Sequence, residues 1–417
     1  MSFLFTEAFN ISSHLLSNGK LRASYAKIGN DTGPYQTTNY YGVSQSQLPY
    51  PIGSMSGSLA FQNFKPEITT SWELGTELSF LGNLIDLELV YYDGASKNQI
   101  MSVLLAPSSG FSSMKQNAGE IRNKGIEGLI GATFLSRPNG LTWNSSLNFS
   151  KNISEVVSLS DGEDKKVLEE AVSGFAFVEI RPGNPFGEIY GKDYATDENG
   201  NRLINDEGTP IPSEYKKLGD INPDLAGGLM NQLRFKNLSL SFLIDFQIGG
   251  ELYAQSLLYR DLMGTSSTSV RGRDEWYETH EGTYYTQSIP GVIPKGYVEE
   301  GVNVNTGLPN DIPVEPMMRA LNVIWFGKIV SDYVVDASNV RMREVIIGYD
   351  LPNKWFDKTP FSKARLSLTG RNLFFFYNAA KYIDPESGYN SGSIGNAFEM
   401  NSMPTARTIG VNLSLNF

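Results

Sequence analysis

The last eleven residues, 407–417, alternate without a break. Ile409, Val411, Leu413, Leu415 and Phe417 fall on one parity, Thr408, Gly410, Asn412, Ser414 and Asn416 on the other. Successive side chains of a strand point to opposite faces, so this segment is a strand with one wholly apolar and one wholly polar face. Leu238, Leu240, Phe242, Ile244, Phe246 and Ile248 alternate in the same way with Ser239, Ser241, Asp245 and Gln247, Leu243 being the exception. Trp72, Leu74, Leu78 and Phe80 oppose Glu73, Glu77 and Ser79, and Ile85, Leu87, Leu89 and Tyr91 oppose Asp86 and Glu88. Leu141, Trp143, Leu147 and Phe149 oppose Thr142, Asn144, Ser146 and Asn148. Weaker alternation at residues 20–28, 125–134, 224–235, 338–349 and 363–373 brings the expectation to about ten strands. No fixed-period repeat accompanies them, so a propeller or solenoid is not supported.

A soluble sandwich also buries one face of each strand, and alternation alone does not separate it from a barrel. The links between strands do. They run long (29–68), short (82–83), long (106–118), short (137–140), long (158–223), short (236–237), long (257–336), intermediate (352–362) and long (377–406). In an antiparallel up-and-down meander this puts every long loop at one rim and every short turn at the other, the organisation of transmembrane β-barrels. Greek-key crossings have no reason to obey it. Several segments also reach the ~9 to 11 residues that cross a bilayer at a tilt.

The lipid demands an outward face without charge, since Lys or Arg at the midplane costs ~2 to 4 kcal/mol. The strongest strands comply. Aromatic residues near strand ends, Trp72, Tyr91, Tyr92, Phe149, Tyr349 and Phe417, are then expected in interfacial girdles. Gly82-Asn83 and Lys236-Asn237 suit tight turns, because Gly and Asn accept positive φ. The acidic stretches Ser160-Asp161-Gly162-Glu163-Asp164 and Asp197-Glu198-Asn199-Gly200-Asn201 read as solvated loops.

Composition agrees with this picture and narrows the chemistry. With 23 Phe, 21 Tyr, 41 Gly and only 19% charged residues, β-structure with many turns is favoured over helical bundles. Mean hydropathy is −0.25, and no apolar run approaches the ~18 to 20 residues of a spanning helix; barrel strands look polar on such an average. The absence of Cys removes disulfides and thiolate metal sites, and a net charge of −11 argues against a nucleic-acid partner.

Catalysis finds little footing. His14 and His280 are the two histidines, both expected in solvent, and no Gly-x-Ser-x-Gly elbow accompanies them. Neither a catalytic, a cofactor nor a metal set is predicted. Asp197, Asn199 and Asn201, with Asp206 and Glu207 nearby, are spaced like oxygen ligands of calcium, but Gly200 and the distal Glu are misplaced, which favours an acidic β-turn over calcium. The carboxylates Glu73, Glu77, Asp86 and Glu88 line up along strands and fit a water-filled lumen better than a glycosidase pair; Asp245 and Arg365 complete the lumen-facing candidates. Aromatic-rich loops at residues 35–50, with Tyr40 and Tyr41, and at Trp276, Tyr277, Tyr284 and Tyr285 stack on sugar rings, face a partner, or pack on one another.

Several runs carry a resemblance. Leu21-Arg22-Ala23-Ser24-Tyr25, Ser71-Trp72-Glu73-Leu74-Gly75 and, most specifically, Asn117-Ala118-Gly119-Glu120-Ile121-Arg122-Asn123-Lys124-Gly125-Ile126-Glu127 resemble the C-terminal half of the SusC/RagA family of TonB-dependent outer-membrane proteins. So do Gly219-Asp220-Ile221-Asn222-Pro223-Asp224, Asp336-Ala337-Ser338-Asn339-Val340-Arg341-Met342-Arg343 and Gly370-Arg371-Asn372-Leu373-Phe374. The resemblance implies that residues 1–417 are the C-terminal part of a 22-stranded barrel, without the plug domain and the N-terminal strands. It implies an integral outer-membrane location, import of an oligosaccharide or peptide, a SusD-like surface lipoprotein partner, and a TonB complex acting through the plug. Phe417 resembles the terminal signal read in barrel assembly. No basic n-region precedes an apolar segment after Met1, so we expect Met1 to mark a truncation or an internal start.

The reading is an outer-membrane importer, with the Ser/Asn/Glu face on a lumen and the Leu/Ile/Phe face on lipid. The alternative is a secreted all-β carbohydrate-binding or adhesive protein whose apolar faces meet in a core; a glycoside hydrolase is the least supported class.

Overall fold

Eleven strands form one antiparallel sheet in which each strand pairs with the next in chain order: β1 (Ser2–Leu4), β2 (Leu16–Asn30), β3 (Glu67–Phe80), β4 (Ile85–Lys97), β5 (Gly119–Ser136), β6 (Leu141–Leu159), β7 (Leu225–Phe235), β8 (Leu238–Ile248), β9 (Asn339–Asp350), β10 (Lys363–Asn378) and β11 (Thr408–Asn416). The computed structural model describes all residues but 12, 46–49, 118, 138–139, 160–162, 282–287, 358, 389–393 and 395–396. Ala118, the turn residues Pro138 and Asn139, the stretch Ser160-Asp161-Gly162, residues 46–49 of the first aromatic loop, and Tyr284 and Tyr285 lie outside the described residues.

Each of the ten segments expected from the sequence falls on one of β2 to β11. The strands run on further than expected at the long-link end, β5 reaching 18 residues and β6 19. Backbone pairing continues there after the alternation of side chains has broken down, as at Arg122 and Lys124 on β5, which pair with Glu155 and Ile153 on β6. The three residues of β1 are too few to show a pattern. The sheet does not close on itself: β1 and β11 are its edges.

Register aligns the apolar parities into rows across six strands. One row is Leu141, Phe235, Leu238, Tyr349, Leu366, Leu413, and the next is Trp143, Leu233, Leu240, Ile347, Leu368, Val411. A sandwich would bury such rows against a second sheet. Here Leu368 is 47% exposed, Leu413 57% and Val411 73%, so the apolar face is left uncovered and the secreted-sandwich packing is not what these residues form.

The apolar core lies instead in the long links. Residues of the β6–β7 link form a four-stranded sheet, Lys166–Glu170, Ala176–Ile180, Glu188–Tyr194 and Pro212–Asp220. Val178, Ile180 and Ile189 from it pack with Leu258 and Leu262 of the helix Gln255–Leu262, with Val323, Ile324 and Tyr333, and with Phe398 and Met400 from the β10–β11 link. Much of the link expected to be a solvated loop is thus a folded unit. Ala176–Ile180 is buried at four of its five positions, so it shows no alternation and reads from sequence as an unremarkable short run.

Two local expectations change with the structure. At the β7–β8 turn the positive φ (+53°) belongs to Lys236, while in the β3–β4 turn Gly82 (+69°) and Asn83 (+66°) take it as expected. Tyr92 pairs with Glu73, on the polar face, and its hydroxyl donates to Asn152 at 2.9 Å, so it has no place in an outward girdle. Trp72 and Tyr91 do meet, with ring centroids 5.3 Å apart. At the opposite, short-turn end, Phe417 packs on Phe361 at 5.1 Å and Phe134 on Trp143 at 4.6 Å.

Candidate functional site

The polar face of β2, β3 and β4 gathers four of the expected residues. Register sets Lys20 opposite Glu77, Glu77 opposite Glu88 and Ser79 opposite Asp86. Lys20 Nζ lies 3.0 Å from Glu77 Oε1, and Arg22 donates to Glu77 at 3.5 Å and to Glu88 at 2.5 Å. Ser24 Oγ donates to Glu73 at 3.3 Å and Ser79 Oγ to Asp86 at 2.7 Å. These carboxylates therefore sit in a continuous band of cations and hydroxyls rather than as an isolated pair.

The other two candidates belong elsewhere on the same sheet. Arg365 lies at the short-turn end, donating to Asp350 at 3.1 Å and to Ser239. Asp245 lies toward the long-link end and accepts from Arg343, which also reaches Glu386 and, at 3.0 Å, Asn372. The six residues thus fall into three separate groups.

Beside Asp245 is a centre that the sequence reading missed. Arg341, 1% exposed, donates to Asp384, to Glu386 at 3.1 Å and to Thr405 at 2.7 Å, and lies over the Phe375 ring at 4.0 Å. Burial opposes the charge on Asp384, but the Thr405 hydroxyl, the amides of Glu386 and Thr405 and the Arg341 guanidinium outweigh it and hold its pKa below the usual range. Arg341 thus fastens the β10–β11 link to β9. The two arginines spaced by one residue on β9 do not reveal their partners locally, since Asp384 and Glu386 each lie 43 residues on in sequence.

In the folded unit, Glu299 is 1% exposed and is held by Arg319 at 2.6 Å and Arg202 at 3.1 Å. Burial works against the Arg319 charge, and Glu299 reverses this, raising its pKa above the ordinary value. Tyr194 donates to Asp332 at 2.6 Å and Tyr333 to Asp261 at 2.9 Å. Burial first, and then the neighbouring carboxylates, push both phenols well above the usual tyrosine range.

The remaining candidates resolve individually. Asp197 Oδ1 accepts the amides of Asn199 at 2.9 Å and Asn201 at 2.8 Å, and Oδ2 the Asn201 side chain at 3.0 Å, which makes an acidic turn. Asp206 accepts from Asn303 at 3.0 Å and Asn305 at 2.8 Å. Among the described residues no three His, Asp or Glu side chains converge as a metal-binding group. His14 is exposed as expected, but His280 is not: it is 6% exposed, stacked on Trp276 at 3.6 Å, with Nδ1 2.9 Å from the Trp276 carbonyl oxygen. Tyr40, Tyr41 and Tyr277 are exposed.

Residues 4–373 match the family model described as TonB dependent receptor-like, beta-barrel. The chain is 28% identical to the TonB-dependent receptor P3 of Formosa agariphila, covering 99% of this chain and 40% of that protein. It is 26% identical to the TonB-dependent receptor SusC of Bacteroides thetaiotaomicron, covering 99% of this chain and 39% of that one. Among solved structures, the RagAB peptide importer in the closed-closed state superposes with a TM-score of 0.68 at 19% identity, over 100% of this chain and 43% of the other. The chain spans about two fifths of the length of these relatives. A match over most of its residues, an antiparallel meander and an uncovered apolar face agree: the chain belongs to the TonB-dependent receptor-like β-barrel family of outer-membrane proteins.

Proposed function

We propose that this chain forms the C-terminal part of the barrel wall of a TonB-dependent importer, a transporter and not a catalyst. Its cargo is an oligosaccharide or peptide, its surface partner a SusD-like lipoprotein, and its energy source the TonB complex. The observation that carries the reading is the opposition of the two sheet faces: aliphatic rows exposed on one, the Lys20, Arg22, Glu77 and Glu88 band on the other. Exposed aliphatic rows are stable in hydrocarbon, and an ionic band is stable beside water. On this reading Glu73, Glu77, Asp86, Glu88, Asp245 and Arg365 border the lumen, and Phe417, just beyond β11, serves barrel assembly. The unpaired backbone groups of β1 and β11 require further strands in a bilayer, supplied by the rest of the barrel.

Growth tests this. A strain lacking the gene should lose growth on one polymeric oligosaccharide or peptide source while growing normally on its monomers, and the purified protein should carry a surface lipoprotein. Unchanged growth on every source together with no associated lipoprotein would overturn the proposal.

A further inference from the structure

A second polar centre lies in the folded links, away from the sheet face. The helix Gln255–Leu262, the segment 267–271, Arg319, Tyr333 and Tyr382 enclose a cleft of about 410 Å³. That is within the ~300 to 1,000 Å³ range of small-ligand clefts.

Its charges are unequally committed. Arg319 is held by Glu299, as described. The carboxylates that line the cleft, Asp261 and Asp332, already accept phenolic hydrogens, from Tyr333 at 2.9 Å and Tyr194 at 2.6 Å. Thr268 adds a second donor to Asp261 at 3.0 Å. Arg260 and Arg271 have no ion-pair partner among the described residues; each lies over a tyrosine ring, Arg260 4.4 Å from Tyr382 and Arg271 5.7 Å from Tyr297.

Stacking on an aromatic face fixes a guanidinium while leaving its N–H edge free, and that edge matches a carboxylate in a two-point hydrogen bond. Tyr382 is 67% exposed and offers the remainder of its ring to an apolar sugar face. The hydroxyls of Ser267 and Thr268 line the same cleft, and Leu257 is its one aliphatic lining residue among the described residues. A hydroxylated ring bearing a carboxylate finds guanidinium, hydroxyl and aromatic partners together here.

We propose that this cleft binds a uronate residue of an acidic oligosaccharide, with Arg260 and Arg271 on its carboxylate and Tyr382 against its ring. This rests on the importer reading for the supply of ligand, and adds to it a site outside the barrel face and the charge of the cargo.

Titration calorimetry of the full transporter chain in detergent tests it, with trigalacturonate as the probe and three comparators: its methyl ester, triglutamate and acetate. Trigalacturonate should bind and the other three should bind at least tenfold more weakly. The double variant R260Q/R271Q should weaken trigalacturonate at least tenfold, and Arg260→Lys by a smaller factor, in protein that still shows heat-modifiable migration. Equal binding of the ester, of triglutamate or of acetate overturns the proposal, as does an unchanged affinity in the double variant. Absence of trigalacturonate binding to a heat-modifiable wild-type barrel overturns the cleft assignment and leaves the importer reading standing. A wild-type chain that does not insert as a barrel overturns both.

Discussion

Glu77 of β3 stands directly across from Glu88 of β4, two carboxylates on one face of adjacent strands. Like charges in that position destabilise a sheet. Arg22, reaching over from β2, contacts both, at 3.5 and 2.5 Å, and Lys20 adds a contact to Glu77 at 3.0 Å. The band therefore depends on a cation from a strand that is a neighbour of β3 but not of β4.

Replacing Arg22 by Gln leaves the two carboxylates facing each other with Lys20 alone between them and the water. All these groups are partly exposed, so screening keeps the effect small, about 0.5 to 1 kcal/mol. Urea unfolding in lipid vesicles should show that loss, shrinking in 1 M salt and largely absent in a Glu88→Gln background. An equal loss with and without Glu88 would mean that repulsion is not the cause.

Leu368 and Ser367 are neighbours on β10 with opposite facings: Leu368 lies in the row with Ile347 and Val411, Ser367 in that with Gly348 and Asn412. Leu368→Arg should destabilise the inserted barrel by about 2 to 4 kcal/mol, the cost of a cation in hydrocarbon, and Ser367→Arg by a fraction of that. The two are compared by the same unfolding assay. Equal costs would show that the aliphatic row does not meet lipid.

Asp384 has a folded-state pKa below its ordinary value near 3.8, because its hydrogen bonds outweigh the effect of burial. A depressed carboxylate contributes stability that is present above the ordinary pKa and is lost as pH falls through the folded value. Attachment of the link to β9 through Asp384 and Thr405 should accordingly weaken below about pH 4, read as faster amide exchange around those two residues. Asp384→Asn should remove this pH dependence and cost about 3 kcal/mol at neutral pH, since Arg341 stays buried with Glu386 as its remaining carboxylate among the described residues. Acid-weakened attachment of unchanged size in the variant would place the titrating group elsewhere.

The ten main strands, their order and which residues share a face were legible in the sequence. Period-2 alternation is a local property: Ile409 and Asn412 declare their facings through their immediate neighbours, whatever they later pair with. Link lengths then place long connections at one end, as β6–β7 and β8–β9 show. Glu77 and Glu88 were legible as members of one polar face for the same reason, although their shared arginine was not.

What the tertiary structure decided was every contact between residues far apart in the chain. Arg341 finds Asp384 43 positions away, Tyr194 finds Asp332 138 away, and Ser256 finds Glu399 143 away. None leaves a local trace, because a partner in another link alters neither the spacing nor the polarity around either residue. Short, mostly buried strands such as Ala176–Ile180 and the burial of His280 against Trp276 are of the same kind. Local alternation thus determines the two-faced wall, while the folded rim exists only where separate links meet and shut water out together.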